Sequence, residues 1–266
     1  MRITVLVDNI SNQGTLESEH GLSLYIETKG HKVLFDTGAS DLFFQNAVKM
    51  GIDLSQIDTA IISHGHDDHG GGLKEFLSIN DKAKIYVRKQ AFDPHYSKKN
   101  GVIESIGLDR SLLDDERFIF TDDRHYIDAE LLLFSEDNPQ PNSGSQHLLM
   151  EVEGSYVPDQ FFHEQNLWIM EEELKVLVTG CAHGGIANIL EQERQMGLEP
   201  NYVIGGFHLS KAKADELQEV ADYMKGTTAV FYTGHCTGYQ SYEFLREQLG
   251  DRINYAAVGE WLQFTK

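Results

Sequence analysis

The sequence predicts an α/β chain in which two β-sheets pack together with helices outside, and three observations predict it. Short β-rich runs recur along the whole length, apolar stripes of helical period fall between them, and both halves share one order: strands first, then strand and helix in turn. A chain of 266 residues, 41% hydrophobic, can bury a full core. No composition break, Pro/Ser-rich linker or low-complexity run divides it, so residues 1–266 read as one domain.

The runs ITVLVDN, LSLYIET and HKVLFDTG open the chain as strands. Ser40 then caps a helix bearing Leu42, Phe43, Ala47 and Met50, which Gly51 stops. TAIISHG follows as a buried strand, a helix carries Leu73, Phe76 and Leu77, and KIYV closes the first half. LLLF, LWIM and KVLVTG begin the second half as strands. Ile186, Ile189 and Leu190 stripe a helix that ends at Gly197, and NYVIGG is the next strand. Ser210 opens a helix with Leu217, Val220, Ala221 and Met224 on one face; AVFYTG, a helix of Tyr242, Leu245 and Leu249 ending at Gly250, and NYAAVG complete the order.

Charge narrows the partners. With 22 basic against 42 acidic residues the formal charge is −20, which repels nucleic-acid backbones and anionic lipid unless cations cluster. The pairs Arg88–Lys89 and Lys98–Lys99 read as solvated loop charge, with a substrate-steering patch as the alternative. Neither nucleic acid nor a membrane is therefore the expected partner, which leaves a small molecule; oligomeric state is not legible. The N-terminus lacks the charged start and apolar run of a signal peptide, no apolar stretch approaches a membrane span, and the two cysteines, Cys181 and Cys236, make no disulfide framework. Together these point to the cytoplasm.

The chemistry concentrates in SHGHDDHGGG, Ser63 to Gly72. His64 begins the loop at the C-terminal end of TAIIS, where open sheets present functional groups. In an extended loop His64 and His66 point to the same side. Asp68 and His69 come from the tightening turn, and Gly70 to Gly72 let the backbone enter the next helix. A borderline-soft cation such as zinc takes three or four N/O ligands, so this hexapeptide is half of a site for two ions. Other strand ends offer the rest: Cys181 and His183 in KVLVTGCAHGG, His208 in NYVIGGFHLS, and His235 with Cys236 in AVFYTGHCTG. Asp36, at the end of KVLFDTG, can hold a ligand histidine in its tautomer from behind or serve as a turn cap. His95, His125, His147 and His163 have no such setting and read as ordinary surface or core residues.

HGHDDH resembles the HxHxDH signature of the metallo-β-lactamase superfamily, LFDTG its preceding aspartate motif, and VFYTGH its final ligand histidine. The resemblance spans the chain and implies a four-layer αββα sandwich with metals at one edge of the two sheets. SEHGLSLYIETKGHKVLFDTG, SHGHDDHGGGL, VTGCAHGGIANI, GGFHL and GHCTG together resemble the dihydropteroate-synthase-like branch, whose namesake joins a dihydropterin to an aminobenzene ribofuranosyl phosphate. Two departures matter. Cys181 stands where the superfamily usually has a metal-bridging aspartate, and LLLFSEDNPQPNSG lacks the usual separate ligand histidine, leaving His183 as the candidate for that job. Cys181 is either a thiolate ligand or a small buried thiol beside the site.

The resemblance then assigns His64, His66 and His183 to one divalent ion, and Asp68, His69 and His235 to a second, with zinc expected and manganese or iron as alternatives. Water between two such ions loses a proton near neutral pH, since its pKa of about 15.7 falls to ~7 there. Asp68 can orient that hydroxide, and His208 can donate to an oxyanion or leaving group. The first reading is a metal-dependent hydrolase of a small anionic ester or phosphate, attacked by the metal-bound hydroxide. The alternative is a transferase condensing a pterin pyrophosphate with an aminobenzene ribofuranosyl phosphate; a second alternative is redox or non-catalytic metal or ligand binding. Substrate shape falls to the loops Lys89 to Gly107 and Ser135 to Gln160, where no motif guides the reading.

Overall fold

Every β-rich run named above contains a strand in the computed structural model, which describes residues 1–264. One seven-stranded sheet runs in the order Trp261–Gln263, Arg2–Val7, Ser23–Glu27, Lys32–Phe35, Thr59–Ile61, Lys84–Arg88, Phe118–Thr121. Its first three pairings are antiparallel and the rest parallel. The second sheet mirrors that arrangement: Ile253–Tyr255, Val230–Thr233, Tyr202–Gly205 and Leu174–Thr179 are parallel, and Asn166–Glu171, Leu131–Phe134 and Arg124–Tyr126 continue antiparallel.

Period-two alternation explains how the sheets stack. Val33 and Phe35 of the first sheet meet Val176, Val178 and Leu167 of the second in an inner core. Leu34 points the other way, into a core with Phe43 and Ala47 of the helix Leu42–Lys49 and Leu73 and Phe76 of Leu73–Ile79. Leu177, Val203 and Phe231 pack outward against Ile186–Gln195, Ala214–Lys225 and Tyr239–Leu249. This is the four-layer αββα sandwich. No helix among the described residues is long and apolar enough to cross a membrane.

The structure corrects four local expectations. Ser210 lies ahead of its helix, which begins at Ala214 with Lys213 as cap, its N–H bonded to Glu216 at 2.8 Å; the Ser210 N–H goes to the Cys236 carbonyl instead, holding the loop against the site. Gly71 and Gly72 are needed for close approach rather than for turning, since a Cβ would come within 2.4 Å of the Ala39 carbonyl and 2.6 Å of those of Thr37 and Ser40. Arg88 is buried, donating to Asp123 at 2.7 Å and to the Thr121 carbonyl at 3.3 Å. Both unguided loops contribute to a third sheet, of four strands: Ser155–Pro158, Leu148–Val152, His95–Lys99 and Val102–Ser105.

Candidate metal centre

The two motif halves meet where parallel strands end. The strand Thr59–Ile61 delivers His64, His66, Asp68 and His69; Leu174–Thr179 delivers Cys181 and His183; Tyr202–Gly205 delivers His208; Val230–Thr233 delivers His235. The turns are sharp enough that Asp36 (φ 59°), Ala182 (φ 53°), His208 (φ 49°) and His235 (φ 45°) sit in the left-handed region, costing of order 1–3 kcal/mol each. The packed sheets hold them there.

His64, His66 and His183 face one another, with one ligand nitrogen from each lying within 4.8 Å of the others. Beside them, Asp68 Oδ2 lies 3.4 Å from His235 Nε2 and 3.9 Å from His69 Nε2, and the two imidazoles approach at 3.1 Å. Cys181 Sγ is 3.2 Å from His69 Nε2 and within 4.8 Å of a ligand nitrogen of His64, so its sulfur lies between the two sets. His208 is half-buried, its ring 4.3 Å from that of His183 and its carbonyl held by Asn142 at 2.7 Å. Of the residues named from sequence, His66, Asp68, Cys181, His183, His208 and His235 help to line one cavity of about 300 Å³, while His64, His69 and Asp36 are fully buried and do not line it.

Whether these residues fit metal ions is decided by what their nitrogens lack. The buried Nε2 atoms of His64 and His66, both ring nitrogens of His183 and Nδ1 of His208 have no hydrogen-bond partner among the described residues. Leaving such groups unpaired costs about 1–3 kcal/mol each, and a cation removes that penalty. Oxygens fix the opposite face of three rings. His69 Nδ1 meets Asp36 Oδ2 at 2.7 Å, His235 Nδ1 meets Asn9 Oδ1 at 3.0 Å, and His64 Nδ1 meets Ser63 Oγ at 2.8 Å. Ser63 spends its own proton on Asp36 at 2.7 Å, so His64 donates from Nδ1 and turns an Nε2 lone pair inward.

Electrostatics agree. Burial, reinforced by neighbouring imidazoles, holds His64, His66 and His183 well below the usual histidine range, so they are neutral donors. Burial opposes charge on His69 too, but Asp68 and Asp36 outweigh it and raise it to about 9, so its proton must leave before its Nε2 can ligate. Burial likewise opposes charge on Asp68, and His69, His20 and His235 outweigh it, holding the carboxyl well below its ordinary value. Burial and the neighbouring sulfur of Cys236 push the Cys181 thiol up.

Several residues that shape the site carried no assignment in the sequence. Glu164, fully buried and pushed up to about 7 by that burial, accepts the N–H groups of His183 and Gly184, both at 2.8 Å. Phe161 stacks on His183 at 4.3 Å. Asp8 Oδ2 accepts the His235 N–H at 2.6 Å. His20 stands at the mouth, 3.2 Å from Asp68 Oδ2. Of the histidines read as ordinary, His125 lies half-buried beside Tyr86, and His147 lines the cavity. His95 and His163 are buried beside His66 and share Asp159 Oδ2 at 3.0 and 3.2 Å. That quartet could also gather round an ion. The ring nitrogens of His95 and His163 are already used, however: both rings meet Asp159, His163 Nδ1 accepts the Gly65 N–H at 2.9 Å, and His95 Nε2 meets the Gln90 carbonyl at 3.2 Å. It is a closed hydrogen-bonded support, while the adjoining trio is open.

Asp36 ties the two sets together, since its Oδ1 also accepts the Ser63 N–H at 2.7 Å. Asp36→Asn turns an amide N–H₂ toward one of three donors, so we expect a loss of about 10- to 100-fold in metal affinity or rate, the range for a group that orients a ligand from behind. A chelator competition titration beside steady-state rates measures it; wild-type values at every metal concentration would count against the role.

The comparisons with known proteins agree with this geometry. Residues 18–235 match the family model of the metallo-beta-lactamase superfamily, and the chain belongs to that superfamily. With that membership and its buried ligand cluster, it is a metal-dependent enzyme of that superfamily. Over 100% of both chains it is similar to the solved structure of Tm1679, a metal-dependent hydrolase of the beta-lactamase superfamily, at 32% identity with a TM-score of 0.85. Two proteins of Methanocaldococcus jannaschii are similar along most of their length. MJ0448, uncharacterized, is 26% identical over 97% of this chain and 98% of the relative. The 7,8-dihydropterin-6-methyl-4-(beta-D-ribofuranosyl)-aminobenzene-5'-phosphate synthase is 28% identical over 93% of this chain and 90% of the relative.

Proposed function

We propose that this chain hydrolyses a small anionic ester at a pair of divalent ions, zinc first among them, held by His64, His66 and His183 on one side and by Asp68, His69, His235 and Cys181 on the other. The observation that carries the reading is the set of buried, partnerless ligand nitrogens facing the cavity. Ions bound there supply Lewis acidity and lower the pKa of a water to about 7. The chain's own groups do the rest. The Asp68 carboxylate, ionised and at the cavity wall, accepts a hydrogen bond from the attacking water and orients it. His208, with Nδ1 unpartnered, donates to the developing oxyanion or the leaving oxygen. Burial of the trio excludes bulk water from that face and strengthens each contact.

Full-length similarity to the dihydropterin synthase favours a second reading, transfer of a pterin from its pyrophosphate to an aminobenzene ribofuranosyl phosphate. One experiment separates the two. Protein purified without added metal is analysed for zinc, manganese and iron, then incubated with simple esters and with a dihydropterin pyrophosphate plus the arylamine. Near two zinc or manganese ions per chain with ester cleavage is the expected result. Carbon–nitrogen bond formation without ester cleavage would replace hydrolysis by transfer, and protein active with no bound metal would sink both readings.

A further inference from the structure

The cavity has a second wall that no motif announces. Besides the acids Asp67 and Asp68 it is lined by Lys99, His147 and Lys211, and by the hydroxyl residues Ser97 and Ser210. These cations come from separate places: Lys99 ends the strand His95–Lys99, His147 precedes Leu148–Val152, and Lys211 follows His208 and Ser210 on the loop ahead of Ala214–Lys225. Lys211 Nζ donates to His147 Nε2 at 3.3 Å, and the His147 carbonyl accepts the Lys98 N–H at 2.8 Å, which fixes the strand end carrying Lys99. The same three side chains line an adjoining cleft of about 420 Å³, so they form a sill between two spaces.

Acids outnumber bases 42 to 22 in this chain, yet two lysines line this cavity together. Like most of the described lysines, neither Lys99 nor Lys211 has a carboxylate partner among the described residues. Burial and the nearby Lys211 hold His147 below its ordinary value, leaving it a neutral acceptor for the Lys211 ammonium. Like charges gathered at a cavity without counter-charge raise the local concentration of anions, and ammonium groups act on phosphate as point charges needing no fork geometry.

We infer that Lys99, His147 and Lys211 form an anion subsite that takes a phosphate monoester group of the substrate, remote from the bond cleaved at the metal centre. Two unpaired ammonium groups match a dianion, whereas a carboxylate leaves one uncompensated. The inference rests on the hydrolytic reading of the same cavity and narrows its substrate class. Lys99 and Lys211 are specificity residues here, and His147 positions Lys211.

The test uses metal-loaded protein and three acetate esters with one scissile bond: 4-acetoxyphenyl phosphate, 4-acetoxybenzoate and phenyl acetate. The expected order of kcat/KM is phosphate, then carboxylate, then neutral. In the K99A/K211A double variant the ratio of phosphate to neutral ester should fall at least about tenfold, as loss of charge-assisted contacts gives. The control Lys89→Ala, an exposed lysine outside the cavity, should keep it. Phenyl phosphate binding by calorimetry is measured on the same proteins and should weaken in parallel. Equal rates on all three esters, or phenyl phosphate binding unchanged in the double variant, would overturn the subsite. A carboxylate probe as good as the phosphate would overturn the dianion assignment. No turnover of any ester, with phosphate binding that still depends on Lys99 and Lys211, would overturn hydrolysis and leave the subsite standing.

Discussion

His66→Ala should strip the first ion from the site and lower turnover by more than about a thousandfold, some 4 kcal/mol of transition-state stabilisation. Its Nε2 is buried and without a partner, and it shares a ligand distance only with His64 and His183 on the open side. Two remaining imidazoles do not close a coordination geometry. The ring also fills space between His64 and His95, with centroids 4.5 and 5.8 Å away, so the truncation leaves a cavity of its own. Circular dichroism and a melting curve therefore accompany elemental analysis. A folded variant with less metal and no activity is the expected outcome. A variant that keeps its full metal content would remove His66 from the ligand set, whatever its activity.

The half of the centre that could be read in advance is the half written locally. In HGHDDH, strand alternation and one helical turn, Asp67–Gly70, suffice to aim four candidate ligands. Each later strand ends in a Gly, His or Cys that the topology must bring to the same edge, and the repeated form made that legible before the sheets were known. The first strand obeyed the same rule unnoticed: Asp8 and Asn9 follow Arg2–Val7 directly and hold His235 from both ends, at its N–H and at Nδ1. Other parts had no local signal. His95 and His163 matter through Asp159, 64 residues from the first, and Lys211 meets His147 across 64 residues. The strands of the third sheet are short and largely polar on exposed positions, HYSKK, VIES and SYVP among them, so neither period nor apolar content separates them from loop. Their pairing, which builds the cavity's second wall, is a tertiary fact.

Cys181→Ser should release the second ion while leaving the first, and lower turnover beyond the roughly hundredfold that a merely orienting neighbour gives. The reason is position. Cys181 Sγ lies 3.2 Å from His69 Nε2 of the second set and within 4.8 Å of a ligand nitrogen of His64, while His64, His66 and His183 form the first set without it. A thiolate there also supplies the anionic charge that an aspartate usually provides at this strand end. In the metal-free protein burial and Cys236 keep the thiol protonated, so the ion must displace that proton, and bound metal should shield the sulfur from alkylation. Cobalt substitution gives the direct readout, a sulfur-to-metal charge-transfer band. Cys236 complicates it, since this second buried thiol follows His235 and accepts the His208 N–H at 3.2 Å. The spectrum is therefore taken in a Cys236→Ser background, where the band should persist, and again after Cys181→Ser, where it should vanish together with one ion. Protein that holds two cobalt ions with no such band would make Cys181 a buried neighbour, and serine would then cost only the modest stability of a hydroxyl needing a partner.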